Sequence, residues 1–178
     1  MAIALTLPTD HGDNGTWGGV LNTAIGQVNG YDRFARKTAD QSVTSNVTVA
    51  SDSDLAVAVD ASGVYVVLWS LVTDGAAAGD IRYSWSGPAS ATMLWESRGL
   101  AAGDTVNVAV ASTDVAAIGT AVTHGTIASG TSSRVNGSGL LVVSATAGNL
   151  QLQWAQGTSS ATATKVKAGS WLWARRVA

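Results

Sequence analysis

The chain is 178 residues long, enough for one sizeable core or for a domain with an appendage. Charged residues make up 12%, against about 25% in ordinary soluble domains, and the formal net charge is −2. This balance gives no electrostatic reason to expect nucleic acid; with no cysteine there are no disulfides or thiolate metal sites, and no window approaches the ~20 apolar residues of a membrane helix.

Residues 1–13 read as an extended arm, with Pro8 and a turn-rich DHGDNG stretch. MAIALTLPTD lacks a positive n-region and its apolar run is too short for a signal peptide, so synthesis in the cytosol is expected. From Thr16 the period changes. Trp17, Val20, Leu21, Ala24, Ile25, Val28 and Tyr31 recur three and four apart, which predicts one apolar helical face. Asn14 or Thr16 can cap its start and Gly30 can stop it. Gly18, Gly19 and Gly26 each cost about 1 kcal/mol against Ala. Such a helix must dock on the domain behind it, on its own copies or on a partner protein.

YDRFARKTAD, residues 31–40, holds five charged residues and reads as a hinge. The expected division is therefore residues 1–37 as an arm and helix for docking or oligomerisation, and residues 38–178 as a β domain. From Gln41 onward short strands follow one another, among them DLAVAVD, GVYVVLWSLVT, DIRYSWS, ATMLWES, GLLVVSAT, NLQLQWAQ and SWLWARRV. Turn signals separate them at Asp60–Gly63, Asp74-Gly75, Ala101–Asp104, Asn136-Gly137 and Ala147–Asn149. The regular spacing predicts a mainly β protein built as an antiparallel β-sandwich or barrel.

Two strands carry more. Residues 63–73 place Val64, Val66 and Leu68 on one face and Tyr65, Val67, Trp69 and Leu71 on the other. A strand apolar on both faces has to be covered twice, once by the sandwich core and once by the helix or another subunit. We expect a homo-oligomer, a trimer by preference, with Tyr65, Val67, Trp69 and Leu71 joining the helix stripe (Trp17 to Val28) at the docking interface. Near the C-terminus, Leu150, Leu152 and Trp154 alternate with glutamines, while Trp171, Leu172 and Trp173 are apolar on both sides. The last strand should therefore lie inside a sheet, with Arg175 and Arg176 as its solvated end.

Chemistry is poorly represented. His11 and His124 are isolated, and Asp10, His11 and Asp13 read as a turn rather than a cation site. Glu96 is the only glutamate, so no acid pair exists to build on. There is no G-x-S-x-G elbow, phosphate loop or H-E-x-x-H, and no base stands near any serine in the chain order. We expect no enzyme, catalytic residue, metal or cofactor. The excess is in tryptophan, seven in all. Trp69, Trp85, Trp154 and Trp171 or Trp173 suit core packing. Trp95, near a turn, is the candidate for an exposed glycan contact.

The residues from RKTADQSVTSNVTVA through SATMLW, followed by GNLQLQWAQGTSSATATKVKAGSWLWARRV, resemble a module of structural proteins in tailed phages of actinobacteria, described as minor tail or tail-fibre-type proteins. LPTDHGDNGTWGGVLNTAIGQVNG is similar to the virion-proximal segment that precedes such modules. The resemblance implies a trimeric sandwich on the virion surface, like a tumour-necrosis-factor-type jelly roll, and it carries no functional residues. The expected role is a virion structural protein: a tail fibre or minor tail protein with host attachment, a capsid decoration or head fibre, or a carbohydrate-binding adhesin module. Its expected partners are its own copies, other virion proteins and host-surface glycan, without nucleic acid or membrane insertion, and its expected location is the virion.

Overall fold

The computed structural model describes residues 30–104 and 110–178. The expected arm, the Asp10–His11–Asp13 cluster and the stripe of Trp17, Val20, Leu21, Ala24, Ile25 and Val28 lie outside the described residues. Among the described residues the chain is all strand and connection, with no helix.

Twelve strands follow in order: β1 (Asp32–Arg36), β2 (Gln41–Val43), β3 (Ala50–Val59), β4 (Val64–Asp74), β5 (Ile81–Ser86) and β6 (Thr92–Leu100), then β7 (Val110–Ala117), β8 (Val122–His124), β9 (Ser133–Val142), β10 (Gly148–Gln156), β11 (Thr164–Val166) and β12 (Trp171–Arg176). They form two sheets, antiparallel throughout. The larger runs β1-β12-β4-β9-β6-β7, with β11 beside β4 and β2 beside β11; the smaller runs β3-β10-β5-β8.

Period-two patterning decides which side chains lie between the sheets. From the large sheet Tyr65, Val67, Trp69, Leu71, Met93, Trp95 and Leu141 point inward; from the small sheet Leu55, Val57, Tyr83, Trp85, Leu150, Leu152 and Trp154 meet them. Trp69 and Trp85 join the layers edge to face at 5.0 Å, and Trp69 meets Trp95 at 5.8 Å. Each such aromatic pair adds about 0.5–1.5 kcal/mol beyond the area it buries. The alternation read in residues 150–154 holds: Leu150, Leu152 and Trp154 are all buried. So does the placement of the last strand, since β12 lies between β1 and β4.

Two expectations about connections are corrected. Residues 32–36 are not a hinge but β1, paired with β12 from Asp32↔Arg175 to Arg36↔Trp171. Residues 32–36, placed by the expected division in the arm and helix, thus belong to the large sheet. The charge density that suggested a linker is what a short edge strand carries, because charges there oppose further pairing. Lys37 is also buried, bonded to both carboxylate oxygens of Asp52 at 3.0 and 2.9 Å. Asn136-Gly137, read as a turn, lies within β9 opposite Ser70 and Trp69. A Cβ on Gly137 would sit 2.2 Å from Trp69 Cζ2, so glycine serves close approach here rather than reversal of the chain. The turn at residues 60–63 does form, closed by the Gly63 N–H on the Asp60 carbonyl at 3.3 Å.

Candidate functional site

Among the described residues, the small sheet covers one face of the large sheet. Along β4 the burial alternates: Tyr65, Val67, Trp69 and Leu71 are sealed at 1% exposure or less, while Val64, Val66 and Leu68 are half-buried on the opposite side. The expectation that Tyr65, Val67, Trp69 and Leu71 form an intermolecular interface is therefore corrected. They are the side of β4 that faces the small sheet, and the side left for a second layer is the one carrying Val64, Val66 and Leu68.

Strand register shows what accompanies them. Phe34 lies opposite Trp173, Trp173 opposite Leu68, Leu68 opposite Ser138 and Ser138 opposite Glu96. One step along, Arg175, Val66, Leu140 and Leu94 form the next row. Two features result. Towards β1, the side chains of Phe34, Leu68, Trp171 and Trp173 line a shallow apolar groove of about 390 Å³, with the Phe34 and Trp171 rings stacked 6.4 Å apart. Towards β6, Leu94 and Leu140 project, 62% and 48% exposed. Glu96, Arg98, Asn136 and Ser138 form a shallow polar hollow beside them. Exposed apolar side chains grouped on one face make it the candidate interaction surface.

The aromatic readings invert. Trp95, the candidate for glycan contact, is 1% exposed and its Nε1–H donates to the Ala117 carbonyl at 3.1 Å, so it offers no ring to a sugar. Trp171 and Trp173, one or the other expected in the core, are both half-buried on the outer face instead. The signal for this lay in SWLWARRV: Leu172 and Ala174 form the other face of that strand, and both are fully buried.

Ionisable groups are held inside the sandwich. Ser97 Oγ and His124 Nε2 are 2.8 Å apart, and His124 Nδ1 lies 3.3 Å from the Leu100 carbonyl. The order of the chain put no base near a serine; folding brings β6 and β8 together and does so. Both residues are sealed, at 1% and 0% exposure, with Tyr83 stacked on the imidazole at 6.2 Å. Burial holds the His124 imidazole below its ordinary value, against a smaller opposing effect of the Leu100 carbonyl. Burial likewise raises the Tyr83 phenol, against a smaller opposing effect of the neighbouring Ser97 and Trp69 side chains. His124 is thus a neutral, hydrogen-bonded sheet residue, as its strand-like surroundings suggested.

Asp52 is a heavily bonded carboxylate: besides Lys37 it accepts from the backbone N–H groups of Asp54 and Leu55 and from Trp154 Nε1. This ties the end of β1 to the small sheet. No group of three or more His, Asp or Glu side chains suited to a metal ion occurs among the described residues. Arg175 is exposed as expected, whereas Arg176 is half-buried and pairs with Asp60 at 3.4 Å.

No protein-family model matches the chain, and no curated protein matches it significantly.

Proposed function

We propose that this chain is a virion structural protein of a tailed phage, a tail-associated fibre or minor tail protein displayed on the particle as a homotrimer, with a structural rather than catalytic role. The observation that carries the reading is the outer face of the large sheet. It is apolar over Phe34, Leu68, Trp171, Trp173, Leu94 and Leu140, on a chain with about half the usual share of charge. Water disfavours such a face, and a second copy of the chain relieves that cost without requiring a new protein.

Topology supports the kind of module. Set aside β2, β11 and the β6–β7 hairpin, and number the remaining eight strands in chain order. The large sheet then reads first, eighth, third, sixth, and the small sheet second, seventh, fourth, fifth. This interleaving is that of a jelly roll, the fold that the resemblance to actinobacterial phage tail proteins implies, in its tumour-necrosis-factor-type form. The same trimer would serve as a head decoration, and the location of the label on the particle separates the two.

The test has two parts. Native mass spectrometry of the full chain should report three copies, and antibody labelling of intact virions should place it at the tail. A monomer at tens of micromolar, or an unlabelled particle, would refute the proposal.

A further inference from the structure

Lys37 and Asp52 meet inside the sandwich, at 1% and 0% exposure, with the amine 3.0 and 2.9 Å from the two carboxylate oxygens. Lys37 follows β1 directly, and its backbone is fixed by hydrogen bonds with Ser170 and Gly169, so the chain delivers the amine to this place. An ion pair needs no more than that. This one has more around it. Asp52 Oδ1 accepts from the backbone N–H groups of Asp54 and Leu55, both at 2.9 Å, an arrangement that holds charge developing on a carbonyl oxygen. Trp154 Nε1 donates to Oδ2 at 3.0 Å. A second carboxylate, that of Asp54, stands 3.3 Å from the same amine, which also donates to Gln41 Oε1 at 2.9 Å. Lys167 makes the contrast: it is 3.8 Å from Asp74 and 30% exposed, out of bonding reach and open to water.

We propose that Lys37 and Asp52 become joined by an amide bond that the fold itself forms, with Asp54 moving the protons. Unjoined, the two are an ion pair, and that pair is the reactant. Asp54 takes a proton from the Lys37 ammonium, and the freed lone pair attacks Asp52 Cγ. The new N–C bond pushes charge onto Oδ1, where the backbone N–H groups of Asp54 and Leu55 receive it. The Cγ–Oδ2 bond then breaks, and Oδ2 leaves as water with the two protons the ammonium has lost. Ammonium and carboxylate have become amide and water, with no oxidant or outside reagent.

Amides in open water are driven towards hydrolysis, and the site reverses that balance. Holding the reacting groups together is equivalent to a concentration of about 10⁵–10⁸ M. The product also replaces two buried charges by one neutral group. Sealed from solvent, it is shielded from returning water. The bond ties the end of β1, in the large sheet, to β3 in the small one.

The test is a peptide map of the full-length protein. Trypsin should not cut after Lys37, because its amine is blocked. The peptide from Lys37 to Arg82 should be lighter than its sequence by one water, with no fragment ions from breaks between Lys37 and Asp52. Lys37→Arg keeps the charge but cannot form the bond, and should restore cutting at that position and the full mass. Asp54→Asn, at a partly exposed side chain, should slow the bond by about 10²-fold or more in a time course after refolding. A wild-type peptide that begins at Thr38 with its full mass would overturn the proposal, as would a lost water that fragmentation places at Asp74-Gly75. Bond formation in Asp54→Asn as fast as in wild type would overturn the part given to Asp54.

Discussion

The two faces of β4 are made of nearly the same material and have opposite fates. Inward, Tyr65, Val67, Trp69 and Leu71 are interlocked with the small sheet; outward, Val64, Val66 and Leu68 are only half-buried, and Leu68 lines a groove. What differs is what each face meets. The inner side chains fit against glycines and rings placed for them: a Cβ at Gly137 would strike Trp69, and one at Gly139 would lie 2.7 Å from Met93 Cε. The outer ones share their face with Ser138, Asn136, Glu96 and Arg98. Apolarity alone does not make a core. Complementary shape from a second layer does.

This contrast can be broken in measurable ways. Trp69→Ala should have the largest effect, about 3–5 kcal/mol by urea denaturation, since it empties the point where Trp85 and Trp95 converge. Lys37→Met should cost a similar 3–5 kcal/mol, because it leaves Asp52 charged and buried without its cation. If the double variant Lys37→Met/Asp52→Asn recovers nothing, the ion pair is not the reason. Gly137→Ala should destabilise by about 1–3 kcal/mol through overpacking against the Trp69 ring; an unchanged denaturation midpoint would mean that the ring moves freely aside. Leu94→Ser, on the outer face, should stay within about 0.5 kcal/mol of wild type when measured on separated copies.

A finer comparison uses pH. Burial depresses the folded His124 pKa, so on acidification the unfolded chain takes up a proton, near its ordinary value of about 6.5, before the folded chain does. Stability should therefore decline as pH falls below about 6.5, until the folded imidazole itself protonates. His124→Gln should flatten that decline in urea titrations at pH 7.5 and 5.5. Asp80 acts with the opposite sign. Burial raises its carboxyl, so its contribution is fully present below the unfolded value and is lost as pH rises through the folded one.

Much of the β pattern was legible. Alternation located Leu150, Leu152 and Trp154 on one buried face, and the apolar C-terminal run announced a strand held on both sides. The candidate surface was half legible: that β4 is apolar on both faces was plain in its residues, but which face the small sheet covers was not. The Ser97–His124 pair was illegible, because its members are 27 residues apart and meet only across the two sheets. Trp95 was misread because a nearby turn suggests exposure, whereas its inward position on β6 decides burial.

Local chemistry determines strand and turn, since a period of two and the backbone preferences of Gly, Asp and Asn act within a few residues. Charge and cysteine content likewise set by themselves what the protein has to rely on for stability. Only the assembled sandwich decided which side of a doubly apolar strand is core, why Gly137 is a glycine, and that β1 belongs to the sheet. Each of those depends on a side chain distant in sequence, and period-two alternation separates two faces without saying which one will find a partner.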